Sequence, residues 1–107
     1  MEHCLIYVTA SSRTEAESLA RRLVEERLAA CANVIERITS YYWWEGEVQS
    51  GEEAVVIAKT RRDMVEDVVA AVKRMHSYSC PCVVALPIVA GNPDFLNWIA
   101  AETTGKL

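Results

Sequence analysis

The 107-residue chain is short of basic charge, of long apolar runs, of glycine and of phenylalanine, and each shortage excludes something. Lysine and arginine number 11 against 15 aspartates and glutamates, a net charge of −4 that argues against a polyanion binder relying on clustered basic residues. No nucleic-acid partner is expected. The longest apolar stretches, such as Cys82–Ala90, fall far short of the roughly 20 residues of a membrane-spanning helix, so no membrane partner is expected either. Met1-Glu2-His3 opens with an acid and lacks a signal peptide's basic region, which makes the cytoplasm the expected location. In that reducing setting Cys4, Cys31, Cys80 and Cys82 read as free thiols or metal ligands rather than disulfides. With four glycines there is no Gly-rich phosphate loop, and neither a G-x-S-x-G elbow nor an H-E-x-x-H helix occurs. No enzyme is expected.

What remains is a globular composition, 51% hydrophobic and 24% charged, of a length that suits one domain over residues 1–107. Its aromatic set is skewed, with three tryptophans and four tyrosines against one phenylalanine. Rings with a polar tip suit interfaces and cleft walls better than deep cores.

His3–Thr9 reads as a first strand. Ser12 and Glu15 have the spacing of a capping box, and Ala16, Leu19, Ala20, Leu23, Val24 and Leu28 recur at helical period to about Ala30. Cys31–Trp44 is a second strand, long enough that a bend or bulge is expected near Arg37–Ser40. Glu45-Gly46-Glu47 and Ser50-Gly51-Glu52 are turn signals before a third strand, Glu53–Lys59, whose unbroken apolar run implies burial on both faces. Thr60 and Asp63 give a weaker capping signal for a second helix carrying Met64, Val65, Val68, Val69, Val72 and Met75. Ser77–Pro81 break it, Cys82–Val89 form a fourth strand, and Pro93 opens a final helix to about Glu102. The order is βαββαβ plus a helix, the pattern of a ferredoxin-like α/β (α+β) sandwich with antiparallel strand order 4-1-3-2. Two other uses of that sandwich fit poorly. The acylphosphatase use needs glycines around Arg13 that are missing, and the RNA-binding use needs central-strand aromatics, of which there is only Tyr7.

Five phrases go beyond a generic sandwich: Leu28-Ala29-Ala30-Cys31-Ala32-Asn33-Val34, Ser40-Tyr41-Tyr42-Trp43-Trp44-Glu45-Gly46, Lys59-Thr60-Arg61, Leu86-Pro87-Ile88 and Gly91-Asn92-Pro93-Asp94-Phe95-Leu96-Asn97-Trp98-Ile99. In this order, over essentially the whole chain, they resemble the CutA family of divalent-cation tolerance proteins. The resemblance implies a homotrimer joined through strand edges, similar in architecture to PII-type signalling proteins that bind small ligands between subunits. The residues point to an oligomer as well. Tyr41, Tyr42 and Trp43 near the end of a long strand would leave an aromatic edge exposed in a monomer, and with Trp98 they are the expected trimer interface.

The family pattern before the fourth strand usually reads His-Pro-Tyr-acid-x-Pro-Glu, and here it is His76-Ser77-Tyr78-Ser79-Cys80-Pro81-Cys82. Two carboxylates are lost and two thiols gained, which shifts any metal preference from hard ions toward copper(I) or zinc. His76, Cys80 and Cys82 are the candidate metal ligands, with no obligatory cofactor expected. The competing reading makes Cys80 and Cys82 small buried hydrophobes and His76 a cation at a helix C-terminus. In an extended strand, moreover, Cys-x-Cys aims its side chains at opposite faces, so both thiols reach one ion only if Pro81 bends the chain. Cys4 and Cys31 are expected at the far end of the sheet, as core thiols.

Trp44, Glu45, Lys59 and Tyr78 match positions that recur around the family's inter-subunit cleft. Lys59 before a helix N-terminus at Thr60, with Arg61 and Arg62 following, suggests an anion pocket. The sequence thus supports a trimeric protein that binds divalent or soft metal ions and contributes to copper tolerance. The alternative is a PII-like sensor binding a small anionic metabolite in the same clefts.

Overall fold

The computed structural model describes residues 2–103. Of the domain expected over 1–107, residues 1 and 104–107 lie outside the described residues. Strand β1 (His3–Ala10) alternates strictly, with Cys4, Ile6, Val8 and Ala10 turned inward and buried. Helix α1 (Arg13–Glu25) starts at Ser12, whose hydroxyl accepts from the Glu15 N–H at 3.1 Å. Strands β2 (Cys31–Trp44) and β3 (Glu47–Arg61) follow, then a 3-10 turn at Arg62–Met64, helix α2 (Val65–Met75), strand β4 (Val83–Ile88) and helix α3 (Pro93–Glu102). The sheet is antiparallel with order β2-β3-β1-β4, which is the expected ferredoxin-like arrangement. Ala16, Leu19, Ala20 and Leu23 of α1 and Val68, Ala71 and Val72 of α2 pack with the inward residues of β1 and β3 into one core. Helix α3 lies against β3 and β1 with Ile99 buried, and the Arg27–Glu102 ion pair at 2.6 Å holds its end. No helix among the described residues is long and apolar enough to cross a membrane.

The bulge expected in β2 is present. Two residues, Glu36 and Arg37, face Ala54 where the register shifts between Ile35 and Ile38. Beyond it the sheet narrows. β1 ends at Ala10 opposite Ala54, so Glu47–Glu53 pair with β2 alone and form a two-stranded arm with Ile38–Trp44. The arm stretches the molecule to 44 × 28 × 22 Å. It closes in a two-residue turn in which both Glu45 (φ 53°) and Gly46 (φ 82°) are left-handed, the backbone of a type I′ hairpin. Asparagine tolerates that conformation better than glutamate, so Glu45→Asn is expected to raise stability by about 0.5 kcal/mol, read as a higher urea midpoint at unchanged m.

Three expected boundaries are corrected. Helix α1 stops at Glu25 rather than near Ala30, because Arg27 turns left-handed (φ 62°). Leu28 and Ala29 keep the apolar period alive by donating their N–H groups to the Leu23 carbonyl from a buried loop. Strand β3 starts at Glu47, so Ser50-Gly51-Glu52 is strand and not turn, its register set by pairing to Thr39–Tyr41. Thr60 caps no helix. It is fully buried in β3 and its hydroxyl donates to the Leu28 carbonyl at 2.7 Å.

Candidate functional site

At the root of the arm, a cleft of about 500 Å³ opens between β2, β3 and the segment joining α2 to β4. Thr9, Ser40, Tyr41, Tyr42, Trp44, Glu53, Tyr78, Ser79, Cys80 and Cys82 line it. The joining segment is fixed by hydrogen bonds instead of by regular structure. His76 ends α2, its N–H donating to the Val72 carbonyl, and its ring is fully buried. A carbonyl can only accept, so the 2.7 Å contact between His76 Nε2 and the Thr9 carbonyl assigns the proton to Nε2. Nδ1 then carries the lone pair that accepts the Tyr78 N–H at 3.0 Å. The Tyr78 ring sits against the imidazole with centroids 4.7 Å apart, and its hydroxyl donates to Glu53 Oε2 at 2.8 Å. Burial, and then the bond to and charge of Glu53, push the Tyr78 hydroxyl far above its ordinary range, so it remains a donor.

Glu15 completes the support. In a regular capping box it would return to the Ser12 N–H; here Oε1 accepts from the Ser11 N–H and hydroxyl, and Oε2 accepts from the Ser77 N–H at 2.8 Å. Burial raises this carboxyl, but the bonds from Ser11 and Ser77 outweigh it and hold the pKa down at about 2.

The structure brings together only part of the expected site. Cys80 and Cys82 are free, exposed and on the same cleft. Because β4 begins at Val83, they precede the strand and the alternation rule does not separate them. The reading of these two as buried hydrophobes is therefore corrected. His76 does not join them as a ligand in this arrangement, since both its ring nitrogens are engaged. Among the described residues no group of three or more His, Cys, Asp or Glu side chains is placed to hold a metal ion. Cys4 is buried, which pushes its thiol up, and Cys31 is half-buried and pairs with Lys59 at the far end of the sheet.

Of the expected cleft residues, Trp44 and Tyr78 line this cleft, whereas Glu45 is at the hairpin tip. Lys59 lies further along β3, roughly 20 Å from Glu53 at strand rise, with Nζ donating to Asn33 Oδ1 at 2.8 Å. The helix N-terminus expected beside Lys59 at Thr60 is corrected, because β3 continues through Thr60 to Arg61 and the 3-10 turn begins only at Arg62. Among the described residues no basic side chain lines the cleft. Tyr41, Tyr42, Trp43 and Trp98 are all exposed, Tyr41 at 75% and Trp43 at 74%. Glu53 was not among the expected residues. Counting strand pairs back from the Glu45-Gly46 turn would have found it, since that register sets Glu53 opposite Ile38, next to Ser40.

Fold and cleft together define a small ferredoxin-like protein with a thiol-bearing aromatic cleft at the base of a strand arm. The family described as CutA1 divalent ion tolerance protein matches residues 4–102, and the chain belongs to it. It is 47% identical, over 91% of its length and 94% of the relative's, to the Divalent-cation tolerance protein CutA of Archaeoglobus fulgidus. A solved structure from that organism, described as a periplasmic divalent cation tolerance protein CutA, superposes with a TM-score of 0.91 at 46% identity, covering 94% of this chain and 98% of that one. Protein CutA 1, chloroplastic, of Oryza sativa is 40% identical over 92% of this chain and 56% of its own length. These relatives are named for tolerance or simply as CutA and not for a reaction. They are also assigned to different compartments, so a cytoplasmic setting is no family-wide property.

Proposed function

We propose that this chain contributes to metal tolerance by binding a soft ion, copper(I) foremost, through the thiols of Cys80 and Cys82 in a homotrimer. The observation that carries the reading is that both thiols are free, exposed and on one cleft, with Pro81 between them ahead of the strand. Thiolates select soft ions, and two of them suit copper(I) better than zinc, which takes four ligands in closed sites. A reducing compartment such as the cytoplasm keeps such a pair available. Copper(I) titration under reductant against a chromophoric chelator is expected to give one ion per chain. Cys80→Ser with Cys82→Ser is expected to remove that binding, and undiminished tight binding in the double variant would overturn the reading.

The trimer has its own support. A lone two-stranded ribbon is marginal in water, and this arm exposes Tyr41, Tyr42, Trp43, Trp44 and Val48. Pairing its outer edge with a second copy would satisfy the edge and cover the rings. Light scattering at micromolar concentration is expected to give three chains per particle, and a monomer would refute the assembly.

A further inference from the structure

We propose that Cys80 and Cys82 close into a reversible disulfide within one chain, a two-electron redox site that withdraws the pair from copper(I) when oxidised. The effect on copper(I) rests on the metal reading above, whereas the bond itself does not.

Of the four free thiols, only this pair is within bonding reach. Cys4 stands opposite Thr60 and Cys31 opposite Lys59, so β3 separates their strands. Two strand spacings put their backbones roughly 10 Å apart, beyond the limit of about 7 Å for a disulfide. Thr60 and Lys59 are adjacent in β3, so alternation also turns the two thiols to opposite faces. Cys80 and Cys82 share a cleft with Thr9, which lies roughly 17 Å along β1 from Cys4 at strand rise.

Between Cys80 and Cys82 the chain itself enforces proximity. Two backbone steps of about 3.8 Å hold their Cα atoms within about 7 Å however the chain runs. Any bend brings them inside the roughly 4.4–6.8 Å of a disulfide. The chain bends through Ser77–Cys80 and is not yet strand at Cys82. This separation depends on the chain alone and not on what covers the cleft in an assembly.

The link is also free to adjust. Tyr78 is anchored to His76 and Glu53, and from Val83 the chain is laddered opposite Val8. Ser79–Cys82 lie between those anchors and belong to no helix or strand, so closing a ring there breaks no ladder pair. A ring of so few residues is strained, and strain makes a disulfide easier to reduce. Such a bond follows the redox poise of its surroundings and is no permanent staple.

The oxidant is a small disulfide, of which glutathione disulfide is the probe used. The thiolate of one cysteine attacks it, forming a mixed disulfide and releasing one glutathione thiolate. The other cysteine's thiolate then attacks the protein sulfur of that mixed disulfide and releases the second glutathione. One S–S bond forms for one broken, two electrons pass to the glutathiones, and the two thiol protons end on them. Neither sulfur is then a thiolate, the form that binds a soft ion.

The test equilibrates the full chain, metal-free, in glutathione buffers from reduced to oxidised, then quenches with acid for intact mass and thiol counting. Oxidation is expected to take the chain from four thiols to two with a loss of about 2 Da, reversed on return to reduced buffer. Cys80→Ser and Cys82→Ser, made singly, are each expected to stop one glutathione heavier, because the mixed disulfide meets no second thiol. Copper(I) titration of the closed chain, with ascorbate in place of a thiol reductant, is expected to match the double serine variant. Retention of all four thiols in oxidised buffer would overturn the proposal. So would chains joined to one another on a denaturing gel without reductant, or a parent chain that stops with glutathione attached. Copper(I) binding by a chain that never closes sinks this inference alone, and closure in a chain that never binds copper(I) sinks the metal reading and not the bond.

Discussion

His76→Ala is expected to lower the unfolding free energy by about 3 kcal/mol while leaving copper(I) binding by the thiol pair in place. Two costs add. The substitution orphans a buried acceptor, the Thr9 carbonyl, and the Tyr78 N–H, each at roughly 1 kcal/mol or more. It also empties the volume of a fully buried ring against which Tyr78 packs. His76→Gln, which can still donate to Thr9, is expected to recover part of the loss. The measurement is urea unfolding at one fixed chain concentration, because any assembly makes the midpoint concentration-dependent. The metal titration is what separates the roles. Were His76 a ligand, the alanine variant would lose affinity out of proportion to its stability, and the glutamine variant would not restore it.

That reassignment illustrates what the sequence could and could not carry. A histidine four and six residues ahead of two cysteines has the composition of a metal site, and nothing in one dimension tells that its ring is clamped between β1 and the chain after α2. The fold was far more legible. β1 alternates cleanly, Ala54-Val55-Val56 is buried without a break, and the helical stripes of α1 and α2 face the core as their period requires. The failures lie where burial and secondary structure part company. Leu28 and Ala29 are as buried as helix residues, yet they belong to a loop hydrogen-bonded back to Leu23, so periodicity overran the end of α1. Ser50 and Gly51 have turn chemistry but are held as strand by a partner across the arm. Thr60 looked like a cap because a hydroxyl near a helix start commonly is one, whereas its bond runs 32 residues back to Leu28. Strand alternation would set Cys80 and Cys82 on opposite faces, but β4 begins at Val83 and the alternation does not reach them.

Glu15 governs the second large effect, which is a dependence on acid. Its carboxyl is pulled from an ordinary 4.5 to about 2 in the folded chain, so the unfolded state binds the proton more readily. Stability from this group is therefore fully present above pH 4.5 and is lost as the pH falls through that value toward 2. A shift of this size corresponds to about 3 kcal/mol at most, and about 2 kcal/mol is expected because the side chain keeps 15% exposure. Glu15→Gln removes the charge that accepts from Ser11 and Ser77, so at pH 7 the variant is expected to be about 2 kcal/mol less stable than the parent. Between pH 5 and pH 2 the two unfolding midpoints should converge, since acid takes from the parent what the substitution already took. A difference that stays constant across that range would show that Glu15 acts through packing and not through its charge. The consequence reaches the cleft, because the Ser77 N–H that Glu15 holds begins the segment presenting Tyr78, Cys80 and Cys82. Protonating one carboxylate at the start of α1 would thus loosen the thiols and the Tyr78–Glu53 bond together, and loss of copper(I) affinity should track the same acid transition.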